Sequence, residues 1–378
     1  MTEQRFVTIR GKRFHWIWLR DHCLCPQCRH SSSFQKVYDL SEAPSTPEPL
    51  SIKEVGDELQ IIWAGDPPHY STYPISWLLS LAYDNETSDD DKSETKKYLW
   101  NLAELEQYAP IWSDAITDIS ENWFHQLREL GFSLVQNLPS QELEAFILSI
   151  GPIYHKFRYG PFSKSQAIPN AQDLSQSAEG YALLPHTDSS FLYDSQRMVE
   201  YFYCVENQAR GGESILVDGF KIAKDLQEEN PEVYQILSET PVEFRHLHRN
   251  WEYYFRRKTP IIKLDINNDD IFGIYFSHKN FNHPLVSFEK MESFYDAYST
   301  LLRYLKSPKY QYCFKLMPGD LLVFQNFRIL HGRNAFVANS GHRELTVAYQ
   351  SWDYFSGRHN FRNLKNLYSA ESMFLKKD

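Results

Sequence analysis

No run of about eighteen apolar residues occurs in this 378-residue chain, so the sequence offers no candidate membrane-spanning helix. Basic residues are outnumbered, 39 Lys and Arg against 49 Asp and Glu, and the net charge of −10 argues against a nucleic-acid partner. The opening residues 1–6 (MTEQRF) lack the apolar stretch of a secretory signal, and a cytoplasmic location is the expectation. Cysteine is scarce: there are five, and an odd number with three crowded into six residues does not suit a disulfide framework. No internal repeat is visible. What the chain does have is aromatic surface to bury. It contains 24 Tyr, 25 Phe and 9 Trp, a composition that suits a β-rich fold with a sizeable core. The length suits a large catalytic domain plus a small one.

Short β-like runs and turn residues from about Phe6 to Leu81 predict a small β domain, with 59–63 (LQIIW) as a strand. The polar stretch 84–95 has no apolar period and reads as an acidic linker, or equally as an exposed loop inside one domain. Beyond it, 118–130 has helical apolar spacing and stops at Gly131, and 132–135 reads as a strand. Strands are predicted at 198–205, 214–217, 312–316, 321–324 and 345–352, and helices at 220–226, 231–237 and 288–305. Many short strands with few helices predict a β sandwich or jelly roll with peripheral helices.

Within this frame the stretch 183–192 (LLPHTDSSFL) places His186 and Asp188 two residues apart. On an extended chain such residues share a face, so an imidazole and a carboxylate can meet one ion. Two histidines and one carboxylate are a ligand set for Fe(II) that leaves open positions for substrates. The pair alone is weak, because most His-x-Asp pairs are accidents of a surface turn. His342 and Glu344 form a competing pair that no other feature supports. The candidate third ligand is His331, where an apolar strand ends beside Gly332. Arg343 lies 12 residues further on, a gap that lets the chain return on a neighbouring strand with a guanidinium near His331. A guanidinium binds a carboxylate with two parallel hydrogen bonds, as a 2-oxo acid cosubstrate requires.

The second cluster is 23–28 (CLCPQC). Cys23, Cys25 and Cys28 can wrap one tetrahedral ion as in a Cys₃His structural zinc site, with His22, His30 or a distant residue as the fourth ligand. An iron–sulfur site and a reactive redox cluster are the alternatives.

The segments HTD, GGESILVDGF, FKLMPGDLLVFQNFRILHGR and HRELTVAYQSWD, in that order, resemble the γ-butyrobetaine and trimethyllysine dioxygenases. These belong to the wider taurine-dioxygenase-like group of iron- and 2-oxoglutarate-dependent oxygenases. The resemblance spans about Phe14 to Asp353. It implies a double-stranded β-helix (jelly-roll) catalytic domain over 96–378 and a small zinc-binding β domain over 1–83. It implies Fe(II) at His186, Asp188 and His331, 2-oxoglutarate anchored by Arg343, and Ser214 as a second donor to that carboxylate. Ser214 also reads as an ordinary strand-start serine. The IIWAGDPPHYSTYPISWL segment favours His69 as fourth zinc ligand, although extra residues separate Trp63 from it. The implied reaction is O₂-dependent hydroxylation of an unactivated C–H bond, coupled to conversion of 2-oxoglutarate to succinate and CO₂. The implied substrate is a small quaternary ammonium compound held among aromatic rings, and the implied assembly a homodimer. Tyr349 and Tyr159 match two positions of that cage. Ala178 stands where a third ring is expected, and Phe162 and Ser163 where a tryptophan is. A rebuilt cage would draw on Phe162, Tyr181, Phe191 or Tyr193, which as readily serve as core aromatics. A different small amine or acid, or a trimethylammonium phosphonate, is the alternative substrate. A catalytically inactive homologue or a cupin-like hydrolase or isomerase is the alternative function. All three iron ligands are present, which argues against the first, and the second leaves Arg343 without a role.

Overall fold

The computed structural model describes residues 5–42, 47–83, 97–115, 122–154, 160–166, 180–193, 197–249, 252–337 and 339–364. The acidic stretch 84–95 lies outside them. The chain groups into two compact units, Met1–Glu94 with Gly357–Asp378, and Thr95–Ser356.

In the first unit, β1 (Phe6–Ile9) and β2 (Lys12–His15) form a hairpin that leads into the helix Trp16–Asp21. A three-stranded antiparallel sheet follows: β3 (Pro49–Val55), β4 (Glu58–Trp63) and β5 (His69–Pro74). Strand β4 shows the period-2 logic directly. Leu59, Ile61 and Trp63 are buried while Glu58 and Gln60 face out. The buried side chains pack with Phe14, Leu19, Tyr73 and Ile75 into the unit's own core.

Among the described residues the second unit carries fifteen strands. In chain order they are β6 (Trp112–Asp114), β7 (Phe132–Gln136), β8 (Ser163–Gln166), β9 (Leu183–His186), β10 (Met198–Asn207), β11 (Ser214–Asp218), β12 (Val242–His248), β13 (Tyr253–Thr259), β14 (Ile262–Leu264), β15 (Ile271–Ile274), β16 (Phe281–Pro284), β17 (Tyr312–Phe314), β18 (Leu321–Gln325), β19 (Ile329–Arg333) and β20 (Arg343–Ser351). One sheet has the order β6-β7-β18-β10-β20-β8, the other β17-β11-β19-β9. Strands β9, β10 and β11, then β18, β19 and β20, alternate between the two sheets. That winding is a jelly roll. Every residue of β11, β18 and β19 is buried, as strands at the centre of a two-layer core should be. Three helices, Gly219–Glu229, Pro231–Glu239 and Met291–Lys306, add apolar stripes to that core through Phe220, Leu226, Leu237, Phe294, Tyr298 and Leu301. A separate sheet, β13-β12-β16, brings the turn His278–Asn280 into place.

The helix Asn122–Leu130 ends at Gly131, which has φ +83° and donates its N–H to the Leu127 carbonyl. A Cβ here would lie 2.8 Å from the Ile329 side chain, so close packing against β19 also calls for glycine. A fully buried ion pair fastens the end of β11 to the turn between β18 and β19. Arg328 Nη2 donates to Asp218 Oδ2 at 2.7 Å, and the same guanidinium donates to the carbonyls of Glu129 and Tyr98. Asp218 also caps the helix Gly219–Glu229 by accepting from the Phe220 N–H. Asp218→Ala leaves a buried charge without its counter-ion, and the expected loss is about 3–5 kcal/mol in a urea melt. A loss below about 1 kcal/mol would mean that the two carbonyls suffice for Arg328.

Among the described residues no helix is long and apolar enough to cross a membrane.

Candidate active site

Strands β9 and β19 are hydrogen-bonded neighbours, and their register sets His186 opposite His331. Side chains at such a pair stand side by side, and the two imidazole centroids are 4.4 Å apart. Asp188 completes the cluster, with Oδ1 3.4 Å from His186 Nε2 and 4.0 Å from His331 Nε2. One nitrogen or oxygen from each residue falls within 4.8 Å of the others, close enough to share an ion. The shared face does not come from a continuous strand, as the spacing suggested. Strand β9 stops at His186, and Asp188 lies in a turn followed by Ser189 at φ +60°. Hydrogen bonds hold that turn. Thr187 N–H donates to the Phe276 carbonyl at 2.7 Å, and Phe276 N–H donates to Thr187 Oγ1 at 2.9 Å. Asn326 grips the backbone of Asp188 from both sides, accepting from its N–H at 2.8 Å and donating to its carbonyl at 3.0 Å.

The protonation pattern suits a divalent ion. His186 Nδ1 lies 2.8 Å from the Leu184 carbonyl, which can only accept, so Nδ1 carries the hydrogen and Nε2 the lone pair. Burial, and then the charge of Lys279, holds His186 below the usual imidazole range and so neutral. Tyr349 Oη donates to Asp188 Oδ2 at 2.8 Å and leaves Oδ1 turned to the histidines. Two neutral nitrogens and one carboxylate oxygen are a donor set that fits Fe(II).

Arg343 opens β20, in the sheet opposite β19, so the guanidinium arrives from across the jelly roll and not from a strand beside His331. The 12-residue gap is long enough to change sheets. Arg343 is only 5% exposed, and its Nε and Nη1 are buried with no hydrogen-bond acceptor among the described residues. Such donors are costly to bury unless an acidic ligand meets them. Gly212 has φ +77° and stands beside the guanidinium: a Cβ there would lie 3.2 Å from Phe336 Cβ and at ordinary contact distance, 3.6 Å, from Arg343 Nε. A carboxylate of 2-oxoglutarate fits this cradle in chemistry. Arg333 is buried next to it and is pushed down to about 10 by burial and by the charge of Arg343. Ser214 is buried at the start of β11 and stands opposite Arg333 in the ladder.

The thiols form a second cluster in the first unit. His69 Nε2 lies 3.2 Å from Cys23 Sγ and 3.6 Å from both Cys25 and Cys28 Sγ. His22 is stacked on Trp18 with Nδ1 on the Trp18 carbonyl, and His30 Nδ1 is engaged by Ser32 and Ser33. Cys28 is pulled down to about 5 by the hydrogen bond from Cys23 and by the Arg20 guanidinium, which donates to its sulfur at 3.3 Å. Cys23 is correspondingly raised, by that shared hydrogen bond and by burial. Burial, and then Arg20, holds His69 below its usual range. Trp63 Nε1 donates to Ser71 Oγ, which donates to Cys23 Sγ at 3.0 Å, a chain that aims the sulfur.

The remaining candidates scatter. Tyr349 stands at the cluster through Asp188. Phe191 is buried and stacks on His246 at 4.6 Å. Tyr181 and Tyr193 are 64% and 63% exposed, and Phe162 packs on the core. Tyr159 and Ala178 lie outside the described residues. Glu344 is paired with Lys164 at 2.9 Å and hydrogen-bonded to Gln166, and His342 is exposed. Three residues near the cluster escaped the sequence reading: Asn326, Glu200 and Lys279. Glu200 Oε2 lies 3.9 Å from His331 Nδ1, and Lys279 Nζ lies 3.2 Å from His186 Nε2. Polar Glu200 and Asn326 interrupt apolar runs, a usable signal. Lys279 sits in a mixed polar stretch with none.

A jelly roll with two imidazoles and a carboxylate converging at one point is the frame of a mononuclear non-haem metal oxygenase. The sequence matches the family model described as "Taurine catabolism dioxygenase TauD, TfdA family" over residues 107–349, and "Gamma-butyrobetaine hydroxylase-like, N-terminal" over residues 5–79. The chain belongs to the TauD/TfdA family and is an Fe(II)- and 2-oxoglutarate-dependent dioxygenase. It is 28% identical over 352 residues to a γ-butyrobetaine dioxygenase of Pseudomonas sp. (strain AK-1), covering 91% of this chain and 89% of that relative. It is 26% identical over 361 residues to the human mitochondrial trimethyllysine dioxygenase (90% and 80% covered), and 26% identical over 358 residues to the human γ-butyrobetaine dioxygenase (90% and 89%).

Proposed function

We propose that this dioxygenase hydroxylates an unactivated C–H bond of a small quaternary ammonium acid of the γ-butyrobetaine or trimethyllysine type. In this reading His186, Asp188 and His331 hold the iron, and Arg343 with Ser214 anchors the far carboxylate of 2-oxoglutarate. Cys23, Cys25, Cys28 and His69 hold a structural zinc that makes the N-terminal unit a zinc-binding domain. The expected form is a homodimer in the cytoplasm. The observation that carries the reading is the convergence of three sequence-remote side chains within 4.8 Å, with a buried, unsatisfied guanidinium in the same jelly roll. The substrate class rests on what the relatives named above act on.

Iron with bound 2-oxoglutarate supplies the O₂ activation and C–H hydroxylation. The chain supplies orientation and charge. The Leu184 carbonyl fixes the tautomer of His186, and Tyr349 and Asn326 fix Asp188 at its carboxylate and its backbone. The Arg343 guanidinium sets the position of the oxo acid through its far end.

The test is succinate release from 2-oxoglutarate across a panel holding γ-butyrobetaine, trimethyllysine and trimethylammonium phosphonates. No substrate-dependent succinate from any of them would overturn the substrate class. Arg343→Met is expected to raise the 2-oxoglutarate KM roughly 30- to 100-fold, the equivalent of about 2–3 kcal/mol of charged hydrogen bonds. An unchanged KM would remove Arg343 from the cosubstrate site. A phosphonate or another small acid is the second reading, favoured by Ala178 and Ser163 standing where the family has rings.

A further inference from the structure

We propose that Lys279 receives the acid group of the primary substrate, and that this group lies where the cleft shared by Lys279 and Arg245 meets the metal ligands. The inference rests on the reading of His186 and Asp188 as iron ligands and extends it to the substrate's charge. Lys279 sits in the single turn His278–Asn280 that leads into β16. Both flanks of the turn are fixed. His278 Nδ1 and Tyr298 Oη share a hydrogen bond of 2.9 Å. Asn280 accepts from Ser277 Oγ at 3.0 Å and donates to the Arg245 carbonyl at 3.1 Å. The backbone that carries the lysine is therefore anchored on both sides.

Its ammonium is 3.2 Å from His186 Nε2 and 4.0 Å from Asp188 Oδ1. Those are atoms that an iron ion would take. With a dication there, Asp188 is neutralised and the ammonium faces like charge, unless an anion stands between the two. The same lysine lines a cleft of about 350 Å³ with Arg245, His246, Leu247, Tyr254 and Asn280. Among the described residues that lining holds a lysine, an arginine and no carboxylate, and its volume suits a small metabolite. Two anions could answer the lysine: the oxo acid or the substrate. The oxo acid's far carboxylate already has a dedicated partner in the buried donors of Arg343, and its keto-acid end would be taken up by the metal itself. The substrate's acid end, carboxylate or phosphonate, is the anion left for Lys279.

The experiment uses the full-length protein under anaerobic conditions. The visible band of the Fe(II)–2-oxoglutarate complex reports 2-oxoglutarate binding, and its perturbation reports substrate binding without turnover. The probes are γ-butyrobetaine, trimethyllysine and 2-trimethylammonioethylphosphonate, each beside an analogue whose acid group is replaced by an alcohol. In the wild type at least one acid is expected to bind about tenfold or more tighter than its alcohol. Lys279→Gln is expected to erase that preference by weakening the acid about tenfold, while the 2-oxoglutarate Kd stays within about twofold. Lys279→Arg, which keeps the charge, should restore part of it. An acid preference unchanged in Lys279→Gln, or absent in the wild type, overturns the proposal. So does a variant that loses affinity for 2-oxoglutarate instead. A wild type that forms no band with Fe(II) and 2-oxoglutarate sinks the underlying metal reading. An intact band with no acid preference sinks only the role of Lys279.

Discussion

Asp188→Asn is expected to cut succinate formation by about 10³-fold, because losing the metal's contribution removes several kcal/mol of transition-state stabilisation. The substitution keeps the shape of the side chain and removes its charge. The backbone clamps from Asn326 do not involve the altered group, so the turn after β9 stays in place. A neutral amide oxygen is a far poorer ligand for a divalent ion than a carboxylate. Tyr349 keeps an acceptor if the amide oxygen takes the place of Oδ2, so little folding energy is at stake. Two measurements separate loss of metal from loss of fold: the anaerobic visible band with Fe(II) and 2-oxoglutarate, and the melting temperature. The band should vanish while the melting temperature moves by no more than about 4 °C, the shift that corresponds to roughly 1 kcal/mol or more in a domain this size. Full succinate output from this variant would show that the iron sits elsewhere. A collapse in melting temperature with the band intact would make Asp188 structural.

Most of the frame of this site could be read from the chain, and the parts that could not share a physical cause. The strands β10, β11 and β18 are apolar or aromatic runs bounded by turn residues, and each appears within two residues of its expected ends. The three helices around the jelly roll follow from 3.6-residue spacing in the same way. Periodicity reports local burial but not which sheet a strand joins. Arg343 was therefore expected on a strand beside His331 and stands instead on the opposing sheet, since sheet order depends on long-range pairing. The β12–β13–β16 sheet was missed for a related reason. Strand β13 (YYFRRKT) mixes aromatics with four basic or hydroxyl residues, and its outward side chains blur the alternation. That sheet carries the cleft and the turn with Lys279, so the cation nearest the His186–Asp188–His331 cluster was also the least legible. Spacing and family likeness together named the candidate ligand set, but neither could reveal Lys279, whose position depends on the locks made by His278 and Asn280.

Cys28→Ser is expected to unfold the N-terminal unit at physiological temperature. The reason is the size of its core. Among the described residues, ten buried apolar side chains, grouped around Phe14, Trp63, Tyr73 and Trp77, must hold a hairpin, a three-stranded sheet and two short helices. A domain this small is marginal on burial alone. A structural zinc supplies about 10–16 kcal/mol in apparent terms, comparable to or above the whole stability of an ordinary domain. Serine offers no thiolate, so one of the four positions around the ion is lost. Arg20 loses the sulfur it donates to, and becomes a half-buried cation without that partner. Three readouts follow. Zinc content measured on the purified protein should fall from one equivalent to a small fraction. Near-ultraviolet dichroism from the buried Trp63 and Trp77 should fade. Limited proteolysis should cut within residues 5–80 under conditions where the wild type resists. Chelation of the wild type should reproduce all three, and added zinc should reverse them, since the metal's binding energy is folding energy in such a site. If Cys28→Ser retained full zinc and an unchanged melt, the four-ligand site would be wrong. If it lost zinc but kept its dichroism and protease resistance, the sheet β3–β5 would be stable on its own core and the metal would be an accessory.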